Sequence, residues 1–112
     1  MTKEIVLIVG LGEIGHTLFA LLNEQEKSFS VYGLDLDEAK MQKLGQSRSR
    51  FPRSVDTLHI CLPCGSQEKF LDAVTGYVEE FKPSLLIVNS TVPPGTTLRV
   101  AANGGACTTH HR

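Results

Sequence analysis

Gly10, Gly12 and Gly15 stand in the order Gly-x-Gly-x-x-Gly, and Asp35 follows 20 residues after the last of them. These types and spacings suit a pyrophosphate flanked by a ribose. The first glycine allows a tight turn, the second lets phosphate oxygens approach bare backbone, and the third lets a helix pack closely on a strand. Leu11, Glu13 and Ile14 complete the turn, so N–H groups at a helix start face the anion without needing a basic side chain. His16, in the first helical turn, reads as a helix-surface residue near those phosphates. The carboxylate of Asp35 is spaced to meet the adenosine ribose. It would repel a 2′-phosphate, and no Arg or Lys directly follows it, so NAD is expected in preference to NADP. Arg48, Arg50 and Arg53 in the next loop read as a solvated basic loop or, alternatively, as cover for the adenosine end.

Alternating strands and helices must position these groups. Lys3 to Val9 is a nearly continuous β-branched run, the pattern of a parallel strand covered on both faces. A helix is expected from Glu13 to Asn23, a second strand from Phe29 to Leu34, and a short helix from Glu38 to Leu44, capped by Asp37 and ended by Gly45. Thr57 to Leu62 reads as a third strand stopped by Pro63. Ser66 can cap the next helix, in which Phe70, Leu71, Val74, Tyr77, Val78 and Phe81 recur with helical period. Leu85 to Val88 is the fourth strand, and an amphipathic segment begins at Thr96.

The fold class is therefore α/β: a Rossmann-type parallel sheet with helices on both faces, partial, of about four to five strands. Ligand in such a sheet lies along the C-terminal strand edge. The candidate residues fall there: the glycine turn after strand one, Asp35 after two, Leu62, Pro63 and Cys64 after three, and Ser90 and Thr91 after four. The 112 residues read as one domain, truncated at its C-terminal end where a fifth strand would start after Gly105.

Composition narrows the partners. A formal net charge of −1 gives no electrostatic footprint for nucleic acid or an acidic membrane, and no apolar run reaches the length of a membrane span. Three cysteines make no disulfide framework and suit a reducing compartment, so a cytoplasmic location is expected. Cys61-Leu62-Pro63-Cys64 has the spacing of a redox dithiol, but the favoured reading is of core and cofactor-wall thiols. Cys107 and His110 could complete a zinc site with Cys61 and Cys64 only if the tail returned to the strand end. No metal is expected.

With Ser90-Thr91-Val92-Pro93-Pro94-Gly95-Thr96-Thr97 added to these motifs, residues 3 to 100 resemble the N-terminal NAD-binding domain of the UDP-glucose/GDP-mannose dehydrogenase family. The resemblance implies that the glycine turn and Asp35 hold NAD and that Thr91 lies between nicotinamide and substrate, where its hydroxyl would order water or a developing oxyanion. It also implies a nucleotide-sugar substrate, oxidised from alcohol to carboxylate in the full-length enzyme, and a possible homo-oligomer. Many members have Pro-Thr where this chain has Pro63-Cys64. The family's nucleophilic cysteine and catalytic lysine belong to a later domain, and none of Cys61, Cys64 and Cys107 matches that nucleophile motif. The related hydroxyacid and 6-phosphogluconate dehydrogenases, and a non-catalytic nucleotide-binding module, are the alternatives.

Overall fold

The computed structural model describes residues 3–63, 66–89 and 106–109, with Gln67 and the last four given by backbone alone. The elements run β1 (Glu4–Val9), α1 (Glu13–Asn23), β2 (Phe29–Leu34), α2 (Glu38–Lys43), a short 3-10 helix (Arg48–Arg50), β3 (Thr57–Ile60), α3 (Gln67–Phe81), β4 (Leu85–Val88) and β5 (Ala106–Thr109). All five strands pair in parallel, in the order β2-β1-β3-β4-β5. This is the Rossmann-type α/β sheet expected from the alternation of elements.

β1 owes its central place to its composition. Val6, Leu7, Ile8 and Val9 are at most 1% exposed, and branched side chains on both faces suit a strand covered on both sides. Successive residues of β2 show what covers the sheet, because neighbours in a strand point to opposite faces. A Cβ at Gly33 would meet Leu11 and Phe19, placing α1 on one face. The ring of Tyr32 meets Phe51 edge-on at 5.8 Å, and Phe51 in turn meets Phe81 of α3 at 6.3 Å, so these aromatics cover the other.

α3 buries Phe70, Leu71, Val74, Val78 and Phe81 and leaves Glu68, Lys69, Asp72, Glu79 and Glu80 exposed. The Ser66 hydroxyl accepts from the Lys69 N–H at 3.5 Å at its start. At its end Lys82 takes a left-handed conformation (φ 46°) and donates its N–H to the Val78 carbonyl, before Pro83 prevents continuation.

Four features depart from the sequence pattern, the first being that β1 starts at Glu4 rather than Lys3. β3 ends at Ile60, two residues before the expected stop, although the Cys61 N–H still bonds the Val9 carbonyl at 2.8 Å. α2 ends at Lys43, with Leu44 as its cap and Gly45 in a left-handed conformation (φ 67°). β5 follows directly after Gly105, where a fifth strand is expected to start and the domain to be truncated. Ala-Cys-Thr-Thr carries neither an apolar run nor a clear alternation, so its backbone pairing with β4 is what defines it as a strand. The segment from Thr96 lies outside the described residues.

Beyond β2 there is no further strand among the described residues. The chain instead runs from α2 through the 3-10 helix back to β3, and the Gln46 side-chain oxygen accepts the Gly33 N–H at 3.0 Å. That bond occupies a donor on an edge that would otherwise invite another strand.

Candidate dinucleotide site

The chain leaves β1 for β2 on one side and returns to β3 on the other, so the β1/β3 junction is the point at which sheets of this kind open a crevice. The glycine turn sits there. Gly10 adopts φ +96°, and a Cβ on it would lie 2.8 Å from the Cys61 carbonyl oxygen. A Cβ on Gly15 would collide with the Gly10 carbonyl oxygen, so bare backbone is what allows α1 to start against the strand end. Gly12 differs from both: it has an ordinary φ of −72°, it is exposed, and no atom lies within 4 Å of where its Cβ would be. Its freedom is external, as expected of a surface that a phosphate approaches.

Asp35 fixes this turn in place. One carboxylate oxygen accepts the Leu11 N–H at 2.7 Å and the other accepts the Asp37 N–H at 2.8 Å. The Gly10 N–H bonds the Leu34 carbonyl at 2.8 Å, so β2 holds the turn from two successive residues. Asp37 caps α2 by accepting the Ala39 N–H at 3.0 Å. Glu13 and Ile14 form the exposed first turn of α1, where an acid suits the positive end of the helix dipole. The N–H groups of a helix's first turn have no intrahelical acceptor, and Gly12, as the N-cap, supplies no side-chain acceptor either.

The β3 exit forms the opposite wall. Cys61 and Leu62 are half-buried and Pro63 is exposed. The Asn89 side-chain amide, just past β4, lies 3.1 Å from His59 Nδ1 and 3.7 Å from Cys61 Sγ, tying the ends of β3 and β4 together. Burial pushes the Cys61 thiol above its ordinary pKa, against a smaller lowering by the Asn89 hydrogen bond. That direction opposes the activated thiolate a redox dithiol requires.

The structure thus brings Gly10, Leu11, Gly12, Glu13, Ile14, Asp35 and Leu62 to one edge of the sheet, with Pro63 following. Cys64, Ser90, Thr91 and His110 lie outside the described residues, as does the side chain of Cys107. The hydroxyl pair, the dithiol and the zinc arrangement therefore have no described geometry. Among the described residues no group of three metal-ligating side chains converges. Arg48 lines an open cleft with Leu34, Asp35 and Leu36 at the end of β2, while its guanidinium bonds both carboxylate oxygens of Glu80 at 2.6 Å and lies 5.9 Å from the centre of the Phe81 ring. Arg50 and Arg53 are exposed.

Sequence reasoning missed three features. The Asn89 amide has no motif of its own. The clamp between Asp35 and Leu11 depends on where the turn folds. The third is an open cleft of about 450 Å³ lined by Gly12, Glu13, His16, Thr17, Lys40 and Lys43. It draws on the start of α1 and the end of α2, which only the fold brings to one cleft.

No protein-family model matches the chain, and no curated protein matches it significantly. Solved structures do. L-tryptophan dehydrogenase from Nostoc punctiforme matches with a TM-score of 0.60 at 16% identity, over 97% of this chain and 33% of that one. A UDP-glucose dehydrogenase from the hyperthermophilic archaeon Pyrobaculum islandicum matches with a TM-score of 0.53 at 22% identity, over 96% of this chain and 34% of that one. The chain thus spans about a third of each of these proteins and shares their fold. No described helix is long and apolar enough to cross a membrane.

Proposed function

We propose that the chain is the NAD-binding part of a dehydrogenase related to the nucleotide-sugar oxidising enzymes. The observation that carries the reading is the glycine turn, held to the end of β2 by the 2.7 Å bond between Asp35 and the Leu11 N–H, with Gly12 open to solvent. Likeness to two dehydrogenases supports the dehydrogenase class. The Ser-Thr-Val-Pro-Pro-Gly sequence at 90–95 supports the sugar-nucleotide substrate over an amino or hydroxy acid.

The donor set suits the cofactor. First-turn N–H groups of α1 would bind the pyrophosphate, Asp35 would orient the ribose while holding the turn, and Leu62 and Pro63 would line the crevice wall. The cofactor supplies a hydride acceptor when bound. Thr91 would contribute a hydroxyl donor beside the reacting carbon, and a cytoplasmic location fits the free thiol of Cys61.

Titration calorimetry with NAD tests the proposal, and Gly12→Val is the informative variant. Space around Gly12 accommodates the new side chain within the free protein, so lost binding reports an obstructed phosphate rather than a damaged fold. NAD affinity should fall at least about tenfold, equivalent to about 1.4 kcal/mol. Unchanged affinity in both Gly12→Val and Asp35→Ala would refute the site.

A further inference from the structure

A separate cleft, of about 440 Å³, opens between the end of α3 and the loop that carries the chain into β3. Its floor is apolar: Phe81 is buried, and Phe51 and Pro52 are half-buried. Its rim is cationic, with Arg48, Arg53 and Lys82 against a single acid, Glu80. Arg48 and Glu80 neutralise each other through their 2.6 Å contacts. Arg53 and Lys82 are exposed, and among the described residues neither has an ion-pair partner. The Val55 N–H bonds the Phe81 carbonyl at 2.9 Å, which ties the loop of Arg53 to the helix end that bears Lys82. Two unpaired cations are thus held on one rim, where they repel each other until an anion joins them.

The backbone of Lys82 gives an independent observation. Its φ of 46° makes it the one non-glycine residue with a positive φ among the described residues. Glycine is the ordinary occupant of such a helix end, because it takes this conformation without a Cβ penalty. The helix dipole alone does not explain a lysine here. The last turn of α3 has no basic residue, although a cation in that turn would meet the dipole without strain. Strain of this kind is retained where the side chain has a use.

Rim and floor together specify the ligand. A planar guanidinium fork and an ammonium point charge match a doubly charged phosphate better than a singly charged carboxylate. The floor of Phe51, Pro52 and Phe81 matches a flat apolar ring carried on that phosphate. We propose that this cleft binds small aromatic phosphate monoesters, with Arg53 and Lys82 holding the phosphate and the ring lying against the apolar floor. Arg53 and Lys82 precede the starts of β3 and β4, whereas the glycine turn follows the end of β1. In a parallel sheet these are opposite strand ends, so the site is separate from the dinucleotide crevice.

Calorimetry and amide chemical-shift mapping on the full chain test it with phenyl phosphate, phenol and inorganic phosphate. The proteins are the wild type, Arg53→Ala, Lys82→Gly and, as a control for lost surface charge, Lys27→Ala. Phenyl phosphate should bind the wild type at least about tenfold more tightly than phenol or inorganic phosphate, the effect of one charge-assisted contact or one covered ring. It should shift the amides of Phe51, Arg53 and Lys82. Affinity should fall by a similar factor in Arg53→Ala and Lys82→Gly, persist in Lys27→Ala, and weaken as salt is raised. Lys82→Gly is the informative variant, because it removes the ammonium while relieving the backbone. It should resist denaturant at least as well as the wild type and still lose the ligand. Equal affinity for phenyl phosphate and inorganic phosphate, shifts centred on Gly12 and Glu13 instead, or unchanged binding in Lys82→Gly would each overturn the proposal. NAD titrations should give the same result in all four proteins, and a parallel loss of NAD binding in Arg53→Ala and Lys82→Gly would overturn the separateness of the site.

Discussion

Asp35 shows how one side chain can serve both fold and site. The spacing from Gly15 predicts a ribose ligand, but the structure also gives the carboxylate two internal donors, Leu11 and Asp37. Cys61 is a simpler case with a consequence for pH. Its raised pKa means that the folded protein holds the thiol proton more tightly than the unfolded chain does. The associated stability is fully present below the unfolded thiol pKa and is lost as pH rises through the folded value. Denaturant unfolding followed from about pH 8 to about pH 10 should therefore show a loss of stability that is smaller in Cys61→Ser. An alkaline profile identical in the two proteins would show that the thiol is not desolvated. The thiol should also react slowly with maleimide in the folded chain.

Among the elements, the ones with dense patterns were legible and the ones defined by their neighbours were not. α1 and β2 have the boundaries the sequence predicts, because Gly12 and the polar run at Glu24 to Ser28 mark their ends. α3 was legible from its apolar period and from Ser66 and Pro83. β5 was legible only in its place after Gly105, since Ala106–Thr109 has no periodic signal and is defined by its pairing with β4. The 3-10 helix and the aromatic contacts of Phe51 were also hidden, because Tyr32, Phe51 and Phe81 are far apart in sequence. Gln46 is the clearest example of information that only packing reveals. Gln46→Ala should leave the Gly33 N–H without its acceptor at the sheet edge, costing about 1 kcal/mol in denaturant unfolding. A stability equal to the wild type would show that solvent serves that donor as well as the amide does.

At the scale of the molecule, one strand organises both architecture and site: β1 pairs with β2 on one side and β3 on the other, and it ends at the glycine turn. Its side chains announced this position, since an uninterrupted branched run fits only a strand with no exposed face. The sheet order itself was not legible, because the sequence does not say on which side of β1 each later strand will land. The central position gives β1 a further use. Enclosed by two ladders and covered on both faces, the amides of Leu7 and Ile8 can reach deuterated solvent only when the whole fold opens, so their exchange rates measure global stability. Any molecule that binds the native protein alone must slow them by its own mass action, about a hundredfold at a concentration about 100 times Kd. Exchange at these amides as fast as at β2 would disprove their enclosure. Otherwise, the interior of the strand becomes a recorder on which each candidate nucleotide writes its affinity, without a label, a coupled assay or knowledge of the reaction.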